Sequence, residues 1–146
     1  QLIPSVPDLI RQGQDLAIVS IGDFFSTASA VCDNLSRMGY NPTLVDARFA
    51  KPLNTEFYTQ LFSTHHHIIT MENNTITGGF GSALLELAHS LDIEPPRFLR
   101  LGLPDEFVCH GDNQKIFKEL KLDKDSLTER ICGFMKSSVT RLQVAP

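Results

Sequence analysis

Four stretches of this sequence carry residue types that could do chemistry. Asp46-Ala-Arg-Phe-Ala-Lys-Pro-Leu53 sets a carboxylate and two cations close together. In it Arg48 could grip a carboxylate or phosphate through its guanidinium fork, with Asp46 orienting it and Lys51 adding charge. Structurally, Asp46 would pair with Arg48 or cap the turn, and Pro52 would stop the strand. Glu72 stands six residues before Gly78-Gly79-Phe80-Gly81-Ser82. Glycines opening a helix let backbone N–H groups face an anion, which makes Gly78, Gly79, Gly81 and Ser82 candidate anion positions. The same glycines could simply allow close helix-to-sheet or subunit contact. The run lacks both the dinucleotide fingerprint and the Gly-Lys-Ser/Thr ending of a P-loop.

Leu103 to Gly111 contains Asp105, Cys109 and His110. A hydrolase would use Cys109 as nucleophile, His110 as base and Asp105 as the orienting acid, or Ser82 as an alternative nucleophile. Adjacent side chains seldom face one another, so this set is a poor triad, and Asp105 and His110 are kept as anion or interface positions. His65-His66-His67 invites a metal, but consecutive side chains entering a strand diverge and no partner ligand is spaced nearby. A solvated loop is the expectation there, with no metal and no catalytic group assigned to this chain.

The elements that must position these residues follow from hydrophobic period. Asp15–Ile21 is a short branched run bounded by Gly13 and Gly22, a buried strand. Val6 to Arg11 reads as an edge strand that turns back on it through a hairpin, with Pro4 and Pro7 keeping it at the edge. Phe24, Ala28, Val31, Leu35 and Met38 recur at helical spacing, and Gly39 ends that helix. Strands are expected at 42–47, 67–72 and 97–103. Helices are expected from the Asn54 cap to Phe62, from the glycine turn through Leu91, and over 113–120 and 126–136. Strand-helix alternation implies right-handed crossovers. The fold class is therefore α/β: a three-layer α/β/α sandwich on a mostly parallel five-stranded sheet with one antiparallel edge strand. A single domain over 1–146 is expected, with 136–146 a frayed tail.

Composition narrows the function classes. A net charge of -4 leaves no positive field for a nucleic-acid backbone. No stretch approaches the roughly 20 apolar residues of a membrane span. Three scattered cysteines suit neither a disulfide framework nor zinc, which points to a reducing cytoplasm. A start at Gln1-Leu-Ile-Pro4, without Met or a targeting segment, reads as a fragment or processed product.

In order and spacing, Asp46 to Leu53, Glu72, Gly78-Gly-Phe-Gly-Ser82 and Leu101-Gly-Leu-Pro-Asp-Glu-Phe107 with His110-Gly111 resemble the C-terminal domain shared by transketolases, 2-oxo-acid dehydrogenase β subunits and deoxyxylulose-phosphate synthases. The D-A-R-F-A-K-P run resembles the synthase branch in particular, and the likeness covers roughly Val6 to Phe134. Glu106, where synthases often carry Arg, and the polar Asn73-Asn74-Thr75 depart from it.

The resemblance implies a parent enzyme that uses thiamine diphosphate and Mg2+ to decarboxylate pyruvate and join the two-carbon unit to glyceraldehyde 3-phosphate. It implies a cytoplasmic or plastid location, and as partners two preceding domains of the same chain and a second subunit. The thiamine motif opens with Gly-Asp-Gly and closes with a downstream Asn; Gly111-Asp112-Asn113 only begins like it. The implied role is structural and dimerising. An anion-binding regulatory module, or the equivalent domain of another transketolase-like or 2-oxo-acid dehydrogenase enzyme, stands as the alternative.

Overall fold

The computed structural model describes residues 6–105 and 113–143. Its sheet has five strands: β1 Asp8–Arg11, β2 Leu16–Ile21, β3 Pro42–Asp46, β4 His67–Thr75 and β5 Arg97–Leu103, in the order β1-β3-β2-β4-β5. β2 pairs in parallel with both β3 and β4, β4 pairs in parallel with β5, and only β1 runs antiparallel, against β3. This is the expected sandwich.

Alternation along β2 sorts the two faces. Leu16 and Ile18 join Val31, Leu35, Leu127 and Ile131 from α1 (Phe25–Arg37) and α5 (Lys124–Gln143). Ala17 and Val19 join Tyr58, Phe62, Leu84 and Ala88 from α2 (Thr55–Thr64) and α3 (Phe80–Ser90). The short α4, Asn113–Glu119, leans on the first face through Phe117, edge-to-face with Phe24 at 5.4 Å. Both faces of β2 are sealed, which is why its sequence reads as one continuous apolar run.

The hairpin expected between β1 and β2 does not form. The chain instead passes around the start of β3: the Gln14 and Asp15 amides donate to the Asn41 carbonyl at 2.9 and 3.1 Å, and the Gly13 amide donates to the Thr43 hydroxyl at 2.8 Å. A Cβ on Gly13 would strike the backbone of Asn41 and Pro42. That crossing puts β1 on the outer side of β3 and β2 on the inner side, so that apolar β2 gains two parallel neighbours. Helix ends follow local chemistry. Asn54 caps α2, its side-chain oxygen accepting from the Phe57 amide at 2.9 Å. α1 stops at Gly39 (φ 94°), where Tyr40 N–H reaches the Leu35 carbonyl and Gly39 N–H that of Ser36. α5 runs from Lys124 to Gln143, longer at both ends than the helix expected over 126–136.

Candidate functional site

In a sheet of this kind the carboxyl ends of the parallel strands are the first place to look for function. β3 ends on Asp46, whose Oδ1 accepts from the Arg48 amide at 3.0 Å. That side-chain turn holds Arg48 at φ 58° and aims its guanidinium outward, 5.8 Å over the Phe49 ring and 3.5 Å from Asp8 of β1. Asp46 therefore shapes the backbone, and the acid beside the guanidinium is Asp8. Both members of that ion pair are about half exposed, so it contributes little to stability. Lys51 is exposed.

β4 ends differently. Glu72 is 1% exposed, and its two oxygens accept from the Phe80 amide at 2.8 Å and the Gly81 amide at 3.0 Å. Desolvating a carboxylate is costly, and the first turn of α3 offsets that cost with two charge-assisted hydrogen bonds and the positive end of its dipole. The glycines are what let the carboxylate in. A Cβ on Gly79 would overlap the Glu72 carboxylate and the Thr75 carbonyl, and one on Gly81 would overlap the Thr70 hydroxyl and press on Arg100.

Two amides that an external anion would need are thus already donating to the chain's own Glu72. Ser82 is committed as well: its hydroxyl donates to the Ile76 carbonyl at 2.8 Å and accepts from Arg100 at 2.7 Å. A serine donating to a carbonyl has no base, so a Ser82 nucleophile finds no support here.

The edge therefore holds two separate groups, Asp46–Arg48–Asp8 after β3 and Glu72–Gly79–Gly81–Ser82–Arg100 after β4. β2 lies between them, and two strand spacings come to about 10 Å. Asp105 is exposed after β5, while Glu106, Cys109 and His110 lie outside the described residues.

Sequence reasoning missed Arg100. The signal was available: in Arg97-Phe-Leu-Arg-Leu-Gly-Leu103 it alternates with Phe98 and Gly102, and the register sets it opposite Thr70 on the face that α3 covers. It also missed Tyr58, whose buried hydroxyl has no partner among the described residues. Burial, with a smaller push from the charge of Asp46, raises the pKa of that phenol.

The histidine run is not a solvated loop throughout. His65 is 7% exposed, with Nε2 2.9 Å from the Thr43 hydroxyl and Nδ1 3.1 Å from the Leu61 carbonyl. The strand start draws it inward because Thr43 and the end of α2 satisfy both ring nitrogens. His67 packs edge-to-face on Phe134 at 5.6 Å, and burial, reinforced by the nearby charge of Arg97, lowers its pKa. Among the described residues no three His, Cys, Asp or Glu side chains converge as a metal site, and no helix is long and apolar enough to cross a membrane.

Fold and edge together define a class: a small α/β sandwich whose helix-start glycines are packed against its own buried glutamate. The chain belongs to the family described as "Transketolase, C-terminal domain", whose profile matches residues 8–127. It is 43% identical over 129 residues to the 1-deoxy-D-xylulose-5-phosphate synthase of Mannheimia succiniciproducens, covering 88% of this chain and 20% of that protein. The synthase of Syntrophomonas wolfei is 42% identical over 132 residues, 90% of this chain and 20% of the relative. The chain thus spans about a fifth of the length of these curated relatives.

Among solved structures, one titled as a split-gene transketolase, an inactive β4 tetramer, superposes with a TM-score of 0.79 at 22% identity, over 93% of this chain and 44% of that one. A transketolase from Pichia stipitis in complex with sedoheptulose 7-phosphate gives 0.67 at 18% identity, over 89% of this chain and 18% of that one. At these identities the structures speak for the fold.

Proposed function

We propose that this chain serves as the C-terminal domain of a 1-deoxy-D-xylulose-5-phosphate synthase, a transferase that joins pyruvate-derived two-carbon units to glyceraldehyde 3-phosphate with loss of carbon dioxide. The observation that carries this is identity above 40% across nearly the whole chain to synthases about five times its length. In such an enzyme, which would work in the cytoplasm or a plastid, thiamine diphosphate bound with Mg2+ would supply the carbanion chemistry.

The described residues of this chain do not fit either group. No acidic or imidazole cluster converges, and the buried carboxylate of Glu72 is spent on the amides of α3. No step is assigned to the described side chains, and the contribution proposed for the domain is architectural: a sandwich that supports the arrangement of domains and subunits. The proposed partners are the preceding domains of its own polypeptide and a second subunit.

The test is an assay of the full-length polypeptide, and separately of the 146-residue chain, with thiamine diphosphate, Mg2+, pyruvate and glyceraldehyde 3-phosphate. The full-length protein is expected to release carbon dioxide and form deoxyxylulose phosphate, and the 146-residue chain to form none. Turnover by the short chain alone would contradict the architectural role. A full-length protein that turned over a different donor and acceptor would place the domain in another branch of the family.

A further inference from the structure

The exposed apolar surface of this domain is concentrated at one place. Among the described residues four large apolar side chains are exposed, and three of them, Val6, Leu9 and Ile10 at 45%, 48% and 53%, lie on or just before the edge strand β1. Beside them a cavity of about 280 Å³ opens between β1, the start of β3 and α2, with Leu9 in its wall, Phe57 and Leu61 as its other apolar lining, and amide side chains from Gln12, Gln14 and Gln60. None of the cavity's lining residues is Lys, Arg, Asp or Glu, and the imidazole of His65 in its wall is already held by the Thr43 hydroxyl and the Leu61 carbonyl. The charges flanking the patch lie at the surface and are paired: Arg11 holds Asp33 at 2.7 Å and Asp8 faces Arg48 at 3.5 Å, with the four side chains between 37% and 53% exposed. Three of the four residues of β1 are exposed, and two of those three, Leu9 and Ile10, are apolar.

We propose that this β1 face, with the adjoining cavity, is the surface on which the rest of the parent polypeptide docks, through an uncharged, largely apolar segment of the flanking domains. The proposal rests on the reading of this chain as one domain of a longer synthase, and names the face that reading leaves open.

Two observations choose this occupant over a second copy of the chain. β1 is only four residues long and carries a register shift between Leu9 and Arg11, a bulge that discourages extending the sheet edge-to-edge. The three side chains expose on the order of 250 Å², whereas a stable complex of separate molecules covers about 800 Å² per partner. A tethered domain needs far less, because the linker supplies a high effective concentration.

The experiment compares Leu9→Lys/Ile10→Lys with Met38→Lys, the latter altering the exposed large apolar residue that lies away from β1 among the described residues. Both are made in the full-length polypeptide and followed by limited proteolysis for release of the intact domain. The β1 double variant is expected to release it at least about tenfold faster than the parent, while Met38→Lys matches the parent. Leu9→Ser/Ile10→Ser, a milder change, should fall between. In the isolated chain neither lysine variant should move the melting temperature by more than about 2 °C, because these side chains are already half exposed.

Equal protease resistance of the parent and both β1 variants overturns the proposal. So does an isolated wild-type chain that is dimeric by light scattering and becomes monomeric in the double variant, since a second copy then covers the face. A full-length protein without synthase turnover, but with the expected domain release, would sink the functional reading and leave the docking face standing.

Discussion

At the scale of single residues, the charged groups that drew attention in the sequence divide by burial into two kinds. Arg48 is anchored by a backbone turn, and its side chain is half exposed, so Arg48→Ala should change stability by less than about 0.5 kcal/mol in a denaturant titration. A loss several times larger would mean that the guanidinium does more than meet Asp8. Glu72 stands at the other extreme. Glu72→Ala leaves the Phe80 and Gly81 amides facing a buried void, for an expected loss of roughly 2–4 kcal/mol. Glu72→Gln, with one acceptor oxygen for two donors, should lose about half of that. Indifference to both changes would contradict the capping role. The sequence showed Glu72 and the glycines as neighbours with an open question about anions. Only the fold answers it, because eight or nine residues of chain had to double back for the carboxylate to reach those amides.

At the scale of elements, close approach and backbone angle make different demands on glycine. Gly79 has an ordinary φ of −82° but no room, so Gly79→Ala must push the first turn of α3 off Glu72 and should cost more than about 2 kcal/mol. Gly39 has open space and φ 94°, so Gly39→Ala should cost only about 1 kcal/mol, from the left-handed backbone alone. Chemical denaturation of the two variants side by side checks the order.

The start of α5 offers a pH test. Asp123 accepts from the Ser126 amide at 3.1 Å and the Ser126 hydroxyl at 2.7 Å, and these bonds lower its pKa below the ordinary carboxylate value. A depressed folded-state pKa means the contribution is complete above the unfolded-state value and is lost as pH falls through the folded one. Asp123→Ala should therefore cost about 1 kcal/mol at neutral pH and a shrinking amount as pH drops below the usual carboxylate range. A pH-independent difference would show that the cap acts without its charge.

Strand and helix identities were legible wherever one period dominated, as in Leu16–Ile21 and in the Ala28, Val31, Leu35 stripe. The partner of β1 was not, because proximity in sequence favoured a hairpin, and the contact that prevents it, Gly13 against Asn41 and Thr43, is some thirty residues distant. His65 was misjudged for a similar reason: its partners Thr43 and Leu61 converge only once α2 has packed on the sheet.

At the scale of the whole molecule, two cores on opposite faces of one sheet should open together, since β2 and β4 supply side chains to both. The cysteines report on this. Cys32 is fully buried in the α1 face, where burial pushes its thiol up to about 12, while Cys132 on α5 is 6% exposed and its thiol is also raised by burial. Burial keeps the Cys32 thiol protonated and out of reach of a reagent in the native state, so labelling must wait for the α1 face to open. In a Cys109→Ser background, which leaves these two thiols, Cys132 is expected to react with a thiol reagent well before Cys32. The Cys32 rate should then rise with denaturant along the slope of global unfolding. If Cys32 labels at a denaturant-independent rate, α1 and α5 part from the sheet locally while the α2–α3 face stays closed. The sandwich would then be two weakly coupled layers instead of one cooperative unit, and a poor rigid support for neighbouring domains.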